Sequence, residues 1–293
     1  MESNPATAGS IPYVARQAMP NVVCWAGLTL DRPRIMGVLN VTPDSFSDGG
    51  DFLSPDVAIA AGRAMAEAGA DIVDVGGEST RPHSQPTTPE LEQARVLPVI
   101  RDLVAAGLLV SADTRHASTM AAALDAGAHI VNDVSGLAFD PASAALVADR
   151  GCPAVLMHMR GTPGTMHSEA LYDDVVADVR RELAERIAVA LRAGIARDRI
   201  AIDPGIGFAK KAAQSMELLR HLPDLATLGY PILVGVSRKS FLAGTTDETD
   251  PRHRLPGSLA AGLFALSRGA AILRVHDVAE TVQAIRVWQA LSA

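Results

Sequence analysis

Eight short apolar runs recur along the chain, and each closes on polar residues or glycine. They are Ile35-Met-Gly-Val-Leu-Asn40, Ile72-Val-Asp-Val-Gly-Gly77, Leu108-Leu-Val-Ser-Ala-Asp113, His129-Ile-Val-Asn-Asp133, Ala154-Val-Leu-Met-His158, Ile200-Ala-Ile-Asp203, Ile232-Leu-Val-Gly-Val-Ser237 and Ile272-Leu-Arg-Val-His276. Near-continuous runs of this length suit strands buried on both faces, as in parallel sheets. Helical spacing fills the intervals. Ser54-Pro55 and Thr88-Pro89 each set a capping residue before proline at the first helical position. Val57, Ala61, Met65 and Ala68 recur on one helix face. Val176, Val179, Leu183, Ile187 and Ala190 mark another, with Gly194 as its C-cap. Further helices are expected over 115–126, 140–150, 212–222, 257–268 and 277–291. The alternation predicts an α/β protein, a single (β/α)8 TIM barrel, whose chemistry would sit at the C-terminal strand ends.

The same pattern divides the chain. Residues 1–33 read as an N-terminal arm, in which Val22-Val-Cys-Trp-Ala26 and Leu28-Thr-Leu30 could pair as a hairpin across the barrel bottom. Residues 34–293 read as the barrel domain. The loops over 44–53 and 78–88 are long and rich in Gly, Pro, Ser and Thr, the character of loops that exclude water from a reaction.

Length and charge narrow the function. At 293 residues one barrel of about 250 residues fits without a second domain. A formal charge of −7 argues against a general nucleic-acid binder. No apolar run approaches the roughly 20 residues of a membrane span. With no basic, apolar leader at the N-terminus, the expected compartment is the cytoplasm. Cys24 and Cys152 lack metal-type spacing and read as reduced thiols.

The strand ends carry the candidate chemistry. Asp113, Asn132 and Asp203 come from three ends and together offer carboxylate acceptors and an amide, a set suited to a flat heterocycle edge bearing several N–H donors. Any one of them alone reads as a cap or turn residue. Arg81, Lys239, Arg274 and His276, with Arg238 as a further candidate, form a cationic group that suits an anion such as phosphate. Arg274 lies inside an apolar run, where its charge needs a partner. Asn40 is a neutral oxygen ligand at the end of the first run. Taken alone it reads as a turn-stabilising amide, although Mg²⁺ at phosphate sites often takes only one or two protein ligands. No Ser-His-Asp arrangement is evident around Ser79, Ser237 or Ser240. His158 reads equally as a structural or a functional residue.

Two longer motifs, Met36-Gly-Val-Leu-Asn-Val-Thr-Pro-Asp-Ser-Phe-Ser-Asp-Gly-Gly50 and Gly69-Ala-Asp-Ile-Val-Asp-Val-Gly-Gly-Glu-Ser-Thr-Arg-Pro82, carry a resemblance. With Val131-Asn-Asp-Val-Ser-Gly136, Asp203-Pro-Gly-Ile-Gly-Phe208, Ser237-Arg-Lys-Ser-Phe241 and Arg274-Val-His276, they resemble bacterial dihydropteroate synthases in order along the barrel. That family joins 6-hydroxymethyl-7,8-dihydropterin diphosphate to p-aminobenzoate, releasing diphosphate and 7,8-dihydropteroate in folate biosynthesis. The resemblance implies that Asp113, Asn132, Asp203 and Lys239 bind the pterin, that Asn40 binds Mg²⁺, and that Arg81, Arg274 and His276 hold the diphosphate. Thr80, Pro82, Phe46, Phe208 and Ser240 would shape the p-aminobenzoate site, and Asp48 would sit on the closing first loop. Asp48, Asp113, Lys239, Arg274 and His276 would carry catalysis. The resemblance also implies a homodimer, and it implies inhibition by sulfonamides, since no residues are inserted near Phe208 or Lys239 of the kind expected in sulfonamide-insensitive relatives. The second loop departs from the family pattern in having His83-Ser-Gln85 where glycine commonly follows the proline.

Two other readings fit a pterin-binding barrel. A corrinoid-linked methyltransferase domain would read a similar pterin edge but would not need the cationic clamp. A catalytically silent pterin binder would lack loop or clamp residues, and none is missing here.

Overall fold

The computed structural model describes residues 23–42, 55–79 and 86–292. Eight parallel strands form the central sheet: β3 (Arg34–Asn40), β4 (Ile72–Gly76), β5 (Val110–Asp113), β6 (Ile130–Asp133), β7 (Ala154–Met157), β8 (Ile200–Asp203), β9 (Leu233–Gly235) and β10 (Ile272–Val275). Their order runs β8-β7-β6-β5-β4-β3-β10-β9. The last gap closes through a single parallel bridge, in which the Ile202 N–H donates to the Pro231 carbonyl at 2.9 Å. The protein is a (β/α)8 barrel. Each strand lies inside one of the apolar runs or, for β3, begins one residue before it. The runs are apolar because both faces are covered, the outer by helices and the inner by the barrel's own core.

The outer face shows how the helices attach. Leu39, Val73, Val75, Val110 and Ala112 pack against Val96, Val99, Ile100 and Leu103 of the helix Pro89–Ala105. That helix opens at Thr88, whose side chain accepts from the Leu91 N–H at 3.3 Å, with Pro89 in the first turn. Helix Val175–Arg192 opens at Asp174, which accepts from the Val176 and Ala177 N–H groups at 2.9 and 3.0 Å. It stops beyond Ala193, where Gly194 takes a φ of +100°. The region 140–150 contains the helix Ser143–Arg150. The stretch at 212–222 holds the helix Ala212–Arg220 and leads into a short second one, Leu222–Ala226, because Pro223 can begin a helix but cannot continue one.

The inner face is apolar at one end and polar at the other. At the N-terminal end Met36, Ile72, Ile130, Val155, Ala201, Leu233 and Ile272 form a plug beneath Trp25. Trp25 belongs to β1 (Cys24–Trp25), which pairs antiparallel with β2 (Leu28–Thr29). Its ring is 1% exposed, and its indole N–H donates to the Arg199 carbonyl at 3.0 Å, just before β8. One layer higher, the interior turns polar with Asp74, Ser111, Asn132 and Arg274. Among the described residues, no helix is long and apolar enough to cross a membrane. Cys24 is exposed, Cys152 is buried, and both are free thiols.

Candidate active site

Strand register assembles the mouth. Asp113 stands opposite Asn132 across β5 and β6, Met157 opposite Asp203 across β7 and β8, and Arg274 opposite Gly235 across β10 and β9. Asp74 is two residues below the end of β4 and fully buried. Its Oδ2 accepts from Arg274 Nε at 2.7 Å and from Asn132 Nδ2 at 2.9 Å. A second guanidinium nitrogen of Arg274 donates to Asp113 Oδ2 at 2.6 Å. The partners that Arg274 needs inside its apolar run are therefore two carboxylates, one below the mouth and one at its edge. Burial opposes the guanidinium's charge, but Asp74 and Asp113 together hold its pKa above the ordinary value.

Asp203 is placed by the loop that follows it. Its Oδ1 accepts from the Gly205 N–H at 2.7 Å. Gly205 has a φ of +65°, and a Cβ there would lie 1.9 Å from the His158 carbonyl, so only glycine fits. Lys239 reaches across from the end of β9. Its Nζ donates to the Ile206 carbonyl at 2.5 Å and lies 4.6 Å from the centre of the Phe208 ring. The loop after β8 thus brings Asp203, Phe208 and Lys239 together.

The mouth changes the titration of its own groups. Burial pushes Asp113 up to about 8, against the pull of Arg274, and the carboxylates of Asp74, Glu92 and Asp133 push the same way as burial. Burial also raises Asp203, although Lys239 and Arg274 oppose this. Burial lowers Lys239 to about 8, with Asp203 opposing it. Perturbed acids and bases side by side in a strand-end mouth are a mark of functional sites.

The remaining candidates are less concentrated. His276 is half-buried, and its Nδ1 lies 3.1 Å from Ser237 Oγ. Ser240 is exposed and opens a short turn, Ser240–Leu242. Arg238 is ion-paired to Asp277, its Nε donating at 3.0 Å, so its charge is already matched outside the clamp. Phe46, Asp48, Thr80, Arg81 and Pro82 lie outside the described residues, as does the loop 44–53 and most of the second loop.

Asn40 ends β3, and its side-chain amide makes no hydrogen bond to any described residue. Among the described residues, no group of three or more His, Cys, Asp or Glu could hold a metal. A neutral oxygen at a strand end without a carboxylate cage fits an ion bound mainly by phosphate and water, as Mg²⁺ often is.

His158 belongs beneath the mouth. It is fully buried, its Nδ1 lies 2.9 Å from Lys210 Nζ, and its Nε2 lies 2.9 Å from Glu182 Oε2. The lysine can only donate, so Nδ1 is the acceptor and the ring proton sits on Nε2. Burial and Lys210 lower the ring's pKa to about 4 and keep it neutral. Lys210 also donates to the Gly205 and Phe208 carbonyls at 3.1 and 2.9 Å, pinning the loop that carries Phe208. Lys210 and Asp74 did not emerge from the sequence reading as site residues. A charged residue in the middle of the apolar run Ile72–Gly76 was the available signal for Asp74, by the argument that singles out Arg274.

Comparison with known proteins decides the family. A family model described as "Pterin binding enzyme" matches residues 36–276. Dihydropteroate synthase of Neisseria meningitidis serogroup C is 46% identical over 89% of this chain and 94% of its own. The chain belongs to the dihydropteroate synthase family. A probable bifunctional folylpolyglutamate synthase/dihydropteroate synthase of Haloferax volcanii is 48% identical over 88% of this chain, which spans 30% of that longer protein. The Xanthomonas albilineans dihydropteroate synthase solved with 4-aminobenzoic acid superposes with a TM-score of 0.86 at 51% identity, covering 92% of this chain and 97% of that one. The same enzyme in complex with 7,8-dihydropteroate gives 0.83 at 49% identity, covering 91% and 96%.

Proposed function

We propose that this barrel condenses 6-hydroxymethyl-7,8-dihydropterin diphosphate with p-aminobenzoate to give 7,8-dihydropteroate and diphosphate, a step of folate biosynthesis. The observation that carries the reading is the convergence of Asp113, Asn132, Asp203, Lys239 and Arg274 in one mouth of a family member. Asp203 has one oxygen on the Gly205 N–H and the other available to ring N–H donors. Asn132 adds an amide, and Lys239 brings a donor over the Phe208 ring. Arg274 and His276, from the end of β10, supply donors for the departing diphosphate, an electrostatic stabilisation of the leaving group.

The chemistry these residues serve is dissociative. The bond between the pterin methylene and the diphosphate oxygen breaks, and its electron pair leaves with the diphosphate. The methylene becomes cationic, stabilised by electron release from the ring and, in their ionised forms, by Asp113 and Asp203. The neutral aryl amine then attacks and sheds a proton. No covalent enzyme intermediate is needed. Mg²⁺ held at Asn40 would draw negative charge off the leaving group.

The reading includes a cytoplasmic homodimer that is inhibited by sulfonamides. A sulfonamide presents the same aniline ring as p-aminobenzoate, so its inhibition should be competitive with that substrate and not with the pterin. A turnover assay with both substrates and Mg²⁺ tests the whole reading. Formation of dihydropteroate is expected, with loss of rate on metal removal and restoration by Mg²⁺. A folded protein that binds pterin without turnover would leave the silent binder as the better account. Methyl transfer to a corrinoid would support the other alternative. Light scattering checks the dimer.

A further inference from the structure

The turn after β8 is strained and closes around one buried charge. Gly205, Gly207 and Ala209 take φ values of +65°, +81° and +48°. An alanine holds that conformation only where its surroundings enforce it. Lys210 enters the turn from below and is 8% exposed. Its Nζ lies 2.9 Å from His158 Nδ1, 2.9 Å from the Phe208 carbonyl, 3.1 Å from the Gly205 carbonyl and 3.3 Å from the His158 carbonyl. All four are acceptors, because Glu182, ion-paired to Arg160, can only accept and so keeps the ring proton on His158 Nε2. A neutral amine would set a lone pair among them, whereas an ammonium brings three donors and no lone pair. Burial lowers the Lys210 pKa well below the ordinary value, with Asp203 opposing it, but the acceptors crowded around Nζ favour the charged form.

The same turn carries part of the rim. Its Ile206 carbonyl accepts from Lys239 Nζ at 2.5 Å, and its Phe208 ring lies 4.6 Å from that nitrogen. Lys239 Nζ has no other hydrogen-bond partner among the described residues. A Cβ on Gly207 would lie 3.3 Å from Lys239 Cδ, so the lysine stem also rests on this turn. We propose that Lys210 is a positioning residue, an ammonium beneath the mouth that gathers the carbonyls of the turn after β8 and so seats Lys239 over Phe208 at the rim. It acts on the mouth through Lys239 and not by touching a substrate. Its consequence for substrate binding rests on the pterin reading of the mouth, while its effect on Lys239 does not.

The chain has three lysines, Lys210, Lys211 and Lys239, so protein labelled with ¹³C,¹⁵N-lysine gives three side-chain signals, which Lys211→Arg and Lys239→Arg assign. In the free wild type the Lys239 Cε protons should be shifted upfield by the Phe208 ring, and Phe208→Leu should abolish that shift. Lys210→Met keeps bulk and removes the charge. The Lys239 protons should then return to the ordinary lysine position, a change of place that lost charge alone would not produce. An unchanged shift in folded Lys210→Met overturns the proposal. A second measurement needs no Lys210 variant. The wild-type Lys210 signal should be that of an ammonium at neutral pH, with protons that exchange slowly because each lies in a buried hydrogen bond. A neutral amine there, or fast exchange, overturns the proposal as well. Calorimetry then carries the effect to the ligand. Lys210→Met should weaken 6-hydroxymethyl-7,8-dihydropterin by about tenfold, the scale of one charged contact, and leave free diphosphate as in the wild type. Loss of the ring shift with unchanged pterin affinity would uphold the seating of Lys239 and remove Lys239 from the pterin reading, so the two fail separately.

Discussion

The two ends of the barrel interior are built from the same strands, two residues apart, and obey opposite rules. At the floor, Ile72, Ile130, Leu233 and Ile272 meet beneath Trp25 without a charge among them. One step along, the same strands give Asp74, Asn132, Gly235 and Arg274. The floor gains by excluding water and tolerates no polar group without a partner. The mouth holds charges: Arg274 is paired with Asp74 and Asp113, Asp203 accepts from a backbone N–H, Lys239 donates to a backbone carbonyl, and Asp113 and Lys239 have pKa values displaced toward neutrality. Stability and function are thus separated by one strand repeat, and the Asp74–Arg274 layer is where they meet.

Substitution at the floor should cost the most and say least about chemistry. Trp25→Ala removes a large, buried ring and an indole hydrogen bond to Arg199. A loss of about 3–5 kcal/mol is expected from urea unfolding. The affinity of the folded fraction for pterin should not change. If affinity falls along with stability, the two ends are not separable in the way the layers indicate.

The middle layer should show both effects. Arg274→Met keeps bulk but removes the partner of two carboxylates. Breaking a fully buried pair costs about 3–5 kcal/mol, and roughly 2–4 is expected here because the Arg274 side chain is 21% exposed. Diphosphate binding should weaken too. Calorimetry showing full diphosphate affinity in the folded variant would confine Arg274 to a structural role.

At the rim the balance reverses. Asp203→Asn keeps the shape but puts a donor where a ring N–H requires an acceptor. Pterin binding should weaken by about 1.5–3 kcal/mol, with little change in unfolding. Free diphosphate should bind as before. Equal loss of both ligands would mean that the mouth is a single electrostatic site and not two subsites.

The strands and most of the helices were legible in the sequence because burial on both faces writes long apolar runs, and capping writes Thr88-Pro89 and Gly194. The mouth was legible where a polar residue closes a run, as at Asp113 and Asp203. What escaped were contacts that no run encodes. Asp74 is hidden in the middle of its strand, and its partners lie 58 and 200 residues away. Arg238 looks like a clamp residue in the sequence, but folding delivers it to Asp277. His158 was ambiguous because its neighbours Lys210 and Glu182 come from a loop and a helix that sequence cannot bring together.

The smallest expected effect, the pH dependence of pterin binding, separates the rim most finely from the floor, since the floor's apolar plug has no titratable group while the rim holds Asp113 and Lys239, both displaced toward neutrality. Burial pushes Asp113 up to about 8, so below that value it holds a proton and offers a ring N–H a weaker, uncharged acceptor. Burial lowers Lys239 to about 8, so above that value its charged donor to the ring's acceptor atoms becomes a weaker, neutral one. In the empty protein the raised Asp113 value favours folding below the ordinary carboxylate range, and that contribution disappears as pH climbs through about 8. The proposed pterin contact, however, is strongest with the ionised form. Affinity for 6-hydroxymethyl-7,8-dihydropterin should therefore peak near pH 8 and fall by up to about tenfold per unit on either side, the limit for one proton. Asp113→Asn should remove the acid limb and leave the alkaline one. Lys239→Arg, whose charge persists at every accessible pH, should flatten the alkaline limb. A level profile in the wild type, or an acid limb that survives in Asp113→Asn, would show that these two side chains do not set the protonation of the occupied mouth.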